Sequence, residues 1–146
     1  MSVSPAARRK ARHYAMQALY QWQMTGAAIN QIETEFHTDN DMSKVDVAYF
    51  RELVHGVPKH LTELEEAFSA YLQGRELQEL DPITLALLRL ATYEFKQRLD
   101  VPYKVVINEA VALAKKFGAA DSHKFINGVL DRAAAELRAV EVKASK

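Results

Sequence analysis

The chain has 146 residues, of which 49% are hydrophobic and 26% are charged, with 5 Gly and 4 Pro. This composition excludes a wholly disordered chain and a collagen-like one, and the length suits one domain of residues 1–146. No apolar run is long enough to span a membrane and no signal peptide is visible, so we expect a cytoplasmic protein. The lack of cysteine excludes disulfides, thiolate metal sites and a cysteine nucleophile.

A formal net charge of zero conceals an uneven distribution of charge. Residues 1–32 hold four basic residues and no acid, residues 33–100 carry a net charge of −7, and residues 101–146 carry a net charge of +3. Salt screens charges beyond a Debye length of about 8 Å, so a partner senses local patches rather than the total. Either end of this neutral chain can therefore attract an anion.

Apolar residues recur at helical spacing along nearly the whole chain. Ser4-Pro5 predicts a first helix that ends at Gly26, because Ser is a good N-cap, Pro fits the first turn and Gly suits the C-cap. A short second helix follows around Ile32. A third begins near Ser43, which has the spacing of a capping box.

Four further helices are predicted in the second half of the chain. One ends near Gly74, and Asp81-Pro82 starts the next, whose segment 83–91 is apolar almost all round and therefore typical of a buried central helix. Gly118 separates the last two helices, and residues 139–146 are expected to fray. No segment alternates with period two, so we predict an all-α domain, a compact bundle of about seven helices.

Reactive groups do not gather into a recognisable catalytic or metal-binding motif. The five histidines form no HExxH motif, and the isolated glycines form no phosphate-binding loop. The carboxylates at Glu63, Glu65 and Glu66 fit a solvated helix face. We therefore expect no enzymatic activity, no metal and no cofactor.

Four cations in the first helix are the first candidate binding feature: Arg8, Arg9, Lys10 and Arg12. On a helical wheel they spread across the side opposite the apolar face. Like charges one turn apart repel, and the helix dipole disfavours cations near the N-terminus, so a bound polyanion would offset both costs. An ordinary solvated face or a frayed basic tail is the alternative.

Two apolar side chains on the same helix form the second feature. The wheel places Met16 and Tyr20 on the exposed side, where a bundle core does not need them. They could stack on a base or bury against a protein partner. Packing against another helix of the same domain is the alternative.

The start of the last helix is the third feature. Asp121 or Ser122 is expected to cap this helix, and Phe125 lies beside Lys124 at the edge of the core stripe. An aromatic ring next to a cation suits base stacking, and free N–H groups at a helix start suit a phosphate. Phe125 could equally be a flanking core residue.

Four stretches of the chain resemble the NusB family of bacterial transcription antitermination factors. The most specific is VPYKVVINEAVALAKKFGAADSHKFINGVLD at 101–131. The others are ARRKARHYAMQALYQWQ at 7–23, DVAYFRELVHGV at 46–57 and LRLATYEF at 88–95. The resemblance implies an all-α fold of two packed helical subdomains, without catalysis and without a cofactor.

The resemblance also implies partners. These are boxA, a short single-stranded RNA element of ribosomal and phage leader transcripts, and NusE, a small-subunit ribosomal protein that forms a heterodimer with the factor. With other Nus factors, this complex joins a transcribing RNA polymerase and suppresses premature termination. The resemblance involves no membrane, and it allows either a monomer or a homodimer.

Two surfaces follow from the family resemblance, one for RNA and one for NusE. The implied RNA-binding residues are Arg8, Arg9, Lys10, Arg12, Tyr71, Asp121, Lys124 and Phe125. The implied partner-binding residues are Tyr20 and Thr84, although some family members have an acidic residue in place of Thr84. Lys10 stands where arginine is common, and it keeps the charge without the bidentate fork.

Two other functions remain open from the residues alone. A helical protein-interaction module would dock an acidic partner on the basic patch and would show no RNA sequence preference. An enzyme of unknown type is the other alternative, but no constellation of reactive groups supports it.

Overall fold

The computed structural model describes residues 4–146, which form eight α-helices and one 3-10 helix and contain no strand. The α-helices are α1 (Pro5–Thr25), α2 (Ile29–Asp39), α3 (Val47–Lys59), α4 (Leu61–Ser69), α5 (Pro82–Gln97), α6 (Tyr103–Phe117), α7 (Ser122–Leu137) and α8 (Ala139–Ala144). The 3-10 helix, Leu77–Glu79, precedes α5. The chain divides into two compact units, which meet in sequence between Lys59 and His60. The predicted all-α class is confirmed.

Helix boundaries largely follow the predicted capping signals. Ser4 and Asp81 each accept a hydrogen bond from the backbone N–H three residues later, at 3.0 and 2.9 Å. Gly26 ends α1 in the left-handed region with a φ of 69°. The third helix differs from the prediction, because Asp46 rather than Ser43 accepts the N-terminal hydrogen bond, at 3.1 Å.

The first unit is built around α1, which packs against both α2 and α3. The Phe36 ring of α2 lies 6.3 Å from Tyr14 of α1 and 6.1 Å from Phe50 of α3, so aromatic contacts join all three helices. Since two helices cover α1, its buried arc is wider than the sequence stripe indicates. The prediction that Met16 is exposed is therefore wrong, as only 1% of its surface is accessible.

In the second unit α5 is the central helix and packs against α4, α6 and α7. Every residue from 86 to 95 is buried, which confirms the prediction from the apolar segment. The buried set includes Arg89, whose Nη2 donates a hydrogen bond to Glu65 Oε2 at 2.7 Å. The buried guanidinium of Arg89 is therefore paired with a carboxylate that still reaches solvent.

Arg138, at the end of α7, holds the C-terminal end of α5 and the turn that follows it. Its Nε donates to the carbonyl of Phe95 at 2.8 Å, and its Nη atoms donate to the carbonyls of residues 94, 98 and 101 at 3.1, 2.9 and 3.0 Å. Nη1 also donates to Glu141 Oε1 at 2.6 Å. All five N–H groups of the guanidinium are thus used, although the side chain is buried.

Residues 139–144 form α8, so the expected fraying of the C-terminal segment is wrong over this range. Glu141 Oε2 accepts a hydrogen bond from the backbone N–H of Tyr103 at 2.8 Å and thereby caps α6, which has no other side-chain cap at Pro102. The bond from Tyr103, and after it the bond from Arg138, lowers the pKa of Glu141 against the effect of burial. The last helix is therefore a structural part of the second unit.

Candidate nucleic-acid and partner surfaces

The four predicted cations of α1 separate into an exposed pair and a stacked pair. Arg9 and Lys10 are exposed. Arg8 and Arg12 lie over the ring of Tyr49 on α3, with guanidinium carbons 4.4 and 5.5 Å from its centroid. Arg12 is only 4% exposed, so the prediction that all four cations face solvent is wrong for this residue. Its aliphatic stem and guanidinium are covered because α3 packs on that side of α1.

The start of α3 also reduces the effective charge of Arg8. Its Nε lies 3.6 Å from Asp46 Oδ2, and its side chain is 26% exposed. The backbone N–H of Asp46 donates to the carbonyl of Ala7 at 3.1 Å, which fixes this carboxylate beside α1. Arg9 and Lys10 are therefore the α1 cations best placed to meet phosphate.

The two predicted partner residues have different environments. Tyr20 on α1 is half-buried, so part of its ring reaches solvent. Thr84 on α5 is 3% exposed, and its Oγ1 donates to Asp81 Oδ2 at 2.7 Å. Thr84 is thus part of the α5 N-cap and leaves almost no surface for direct contact with a partner.

At the start of α7, Lys124 and Asp121 form an exposed ion pair, with Nζ and Oδ1 3.4 Å apart. Asp121 adopts a φ of 67° and makes no capping hydrogen bond with its side chain. Ser122 Oγ is buried and has no hydrogen-bond partner within residues 4–146. Asp121 thus occupies the predicted N-cap position, but without a capping bond from its side chain. Phe125 follows one turn later and is half-buried.

Gly118 sets the point at which α7 can begin after α6. A Cβ at this position would lie 2.8 Å from the carbonyl oxygen of Ala114 and would also clash with Ser122 Oγ. Real Cβ atoms do not approach backbone oxygens this closely. The glycine therefore allows the close approach that positions the first turn of α7.

The turn after α4, residues 71–75, docks on α7. The hydroxyl of Tyr71 donates a hydrogen bond to the carboxylate of Glu136, and this bond raises the pKa of Tyr71. The guanidinium carbon of Arg75 lies 4.5 Å from the centroid of the Phe125 ring. Tyr71 and Phe125 were candidates from the sequence, but Arg75 was not, because one cation in a turn carries no periodic signal.

The predicted RNA-binding residues are thus found in both units. The α1 cations belong to the first unit, and the residues of the 71–75 turn and the α7 start belong to the second. Among the residues that the structure describes, no group of His, Asp or Glu side chains is arranged to hold a metal ion. No helix in residues 4–146 is long and apolar enough to cross a membrane.

Comparison with known proteins places this chain in a family. A sequence model of the NusB family matches residues 9–135. The transcription antitermination protein NusB of Saccharophagus degradans is 65% identical over 146 residues, which cover 100% of this chain and 97% of that protein.

Solved structures show the same fold. T. maritima NusB matches with a TM-score of 0.78 and 32% identity, over 92% of this chain and 94% of that one. A chain of a complex of the antitermination factors NusB and NusE with double-stranded RNA matches with a TM-score of 0.75 and 24% identity, over 89% of this chain and 97% of that one. The full-length sequence similarity and the shared fold together show that the chain belongs to the NusB family.

Proposed function

We propose that this protein is a transcription antitermination factor that binds boxA-type single-stranded RNA as a heterodimer with the NusE ribosomal protein. With other Nus factors, the complex accompanies RNA polymerase in the cytoplasm and suppresses premature termination in ribosomal RNA leader transcripts. This role requires binding rather than catalysis, and it requires no cofactor. The observation that carries the proposal is the full-length similarity to a transcription antitermination protein.

Two kinds of RNA contact fit the exposed residues. Arg9 and Lys10 are exposed and suit phosphates, whose neutralisation dominates affinity and makes it depend on salt. Phe125 suits an unstacked base, because base–aromatic stacking contributes about 1–3 kcal/mol per base. Lys124 provides a further exposed cation beside that ring.

The burial of Arg12 gives this residue a different role in the proposal. Since it is covered and lies over Tyr49, it supports the packing of α3 on α1 rather than contacting phosphate. Tyr20 is the stronger of the two partner candidates, because part of its ring is accessible whereas Thr84 is buried.

The test is fluorescence anisotropy of a labelled boxA RNA and of a scrambled RNA of equal length, at two salt concentrations, with and without NusE. We expect preference for boxA and tighter binding when NusE is present. Equal, weak and salt-sensitive binding to both RNAs would contradict the proposal and would favour the protein-interaction module.

A further inference from the structure

We propose that Arg75 is an additional RNA-contacting residue, whose guanidinium plane, resting on Phe125, forms the surface on which an unpaired base stacks. The inference rests on the RNA-binding function proposed above. It adds a residue that neither the helical pattern nor the family motifs identified.

The geometry of the pair supports a layered stack. Arg75 is exposed, Phe125 is half-buried, and the guanidinium carbon lies over the ring at 4.5 Å. A base that approaches this face of Phe125 therefore meets the guanidinium first. Guanidinium groups are planar and weakly hydrated, and RNA-binding proteins stack bases on them as well as on aromatic rings. Ring, guanidinium and base would then form three successive layers.

The turn that carries Arg75 is held in place before RNA arrives. Gln73 and Gly74 adopt φ values of 57° and 86°, which reverse the chain, and Tyr71 is hydrogen-bonded to α7. The side-chain amide of Gln73 also rests close to α7, since its Nε2 would lie 3.1 Å from a Cβ on Gly128. A preorganised turn loses less conformational entropy when a ligand binds, which favours affinity.

Charge near the stack favours an anionic ligand. Lys124 is 73% exposed beside Phe125, and Arg132 is exposed two turns further along α7. Two carboxylates of this region have partners, since Asp121 pairs with Lys124 and Glu136 accepts the hydrogen bond from Tyr71. A stacking surface flanked by cations fits a single-stranded nucleic acid, whose bases are free to unstack.

Arg75→Lys tests the stacking role, because lysine keeps the charge and removes the plane. We expect this variant to bind boxA RNA about five- to tenfold more weakly at an unchanged salt slope. Arg51→Lys, at an exposed position of α3, is the matched control and should stay within about twofold of wild type. Circular dichroism melts verify that both variants are folded. Full affinity in Arg75→Lys, combined with a flatter salt slope in Arg75→Ala, would assign a phosphate contact and overturn the stack.

A double-mutant cycle and a spectroscopic probe distinguish stacking from a general structural effect. If Arg75 and Phe125 act as one stack, Arg75→Lys combined with Phe125→Leu should cost less than the sum of the single losses. The fluorescent base 2-aminopurine can be placed at successive positions of the RNA, and its fluorescence measured when the RNA is saturated with protein. At one position the fluorescence should be quenched by the wild type and less quenched by the Arg75→Ala variant. Additive losses, or quenching that is identical in the variant, would contradict the proposal.

The boxA preference of the wild-type protein distinguishes a failure of the proposed function from a failure of the role of Arg75. A wild type that prefers boxA, together with an Arg75→Lys variant of equal affinity, would overturn the role of Arg75 alone. A wild type without preference for boxA would overturn the proposed function and this inference together.

Discussion

Arg8 and Arg12 lie over the Tyr49 ring, whereas Arg9 and Lys10 reach solvent, although all four occupy one stretch of α1. The wheel angle of each residue is fixed by its number, but its exposure depends on which neighbouring helix covers that angle. The covered cations contribute packing of their stems as well as charge. Substitutions at neighbouring positions of α1 should therefore affect different properties.

Arg9→Ala should lower RNA affinity and flatten the plot of log affinity against log salt by about 0.7, because one phosphate contact is lost from a single strand. Arg12→Ala should instead lower the free energy of unfolding by about 1–3 kcal/mol, since it removes buried side-chain packing. Anisotropy at several salt concentrations and urea denaturation measure the two effects. A normal salt slope in Arg9→Ala would exclude its phosphate contact.

Tyr20→Asp should abolish retention of NusE in a pull-down, because it places a charge where the proposed interface needs an apolar ring. Tyr20→Phe keeps the ring and is the matched control, which should retain NusE. The melting temperature of each variant should be measured alongside. Normal retention by a folded Tyr20→Asp protein would remove this residue from the interface.

For single residues, the sequence indicates which side chains are candidates for binding better than it predicts whether they are buried or exposed. The exposure of Arg9 and the position of Phe125 at the edge of α7 follow from helical spacing. The burial of Met16 and Arg12 does not, because it depends on α3 packing against α1, a contact between residues distant in sequence. Arg75 was missed for the same reason, since its proposed role depends on its contact with the ring of Phe125, which lies 50 residues later in the chain.

Among the elements, α8 shows the limits of local signals most clearly. Its six residues are too few to be stable as an isolated helix, so local pattern predicts fraying. Its stability comes from Glu141, which binds both Arg138 and the N-terminal end of α6. The starts of α1 and α5, in contrast, were predictable because Ser4-Pro5 and Asp81-Pro82 act within one turn.

Glu141 should make the second unit sensitive to acid. Its folded-state pKa lies below the ordinary value of 4.5, so its contribution to stability is complete above that pH and is lost as the pH falls through the folded-state pKa. The urea midpoint of wild type should exceed that of the Glu141→Gln variant by a constant margin from about pH 7 to about pH 5. In more acidic buffer this margin should vanish. Glu66→Gln, at an exposed position of α4, is the control. A margin independent of pH would contradict the role of the carboxylate charge.

Considered as a whole molecule, this chain has a formal net charge of zero, yet its proposed RNA contacts are cationic. The compensating acids lie mainly in residues 33–100, and several of them are already paired with cations, as Glu65 is with Arg89. Local clusters rather than total charge should therefore decide RNA affinity. Each compact unit contributes its own proposed contact: Arg9 in the first and Phe125 in the second.

The double variant Arg9→Ala plus Phe125→Ala should lose the sum of the two single losses in binding free energy, within about 0.5 kcal/mol, because the proposed contacts, to a phosphate and to a base, are made by different elements. Only the Arg9 substitution should change the salt slope. Anisotropy with the same boxA RNA measures all three proteins. A double variant no weaker than either single variant would show that the two residues do not contact the RNA independently.

The buried guanidinium of Arg138 has a consequence for biosynthesis. Its main-chain acceptors lie 37 to 44 residues earlier in the chain. Because the ribosome makes the chain from its N-terminus, these carbonyls leave the exit tunnel well before the side chain that will bind them. The end of the central helix therefore acquires these hydrogen bonds only after the 37 to 44 residues that separate the acceptors from Arg138 have also been synthesised.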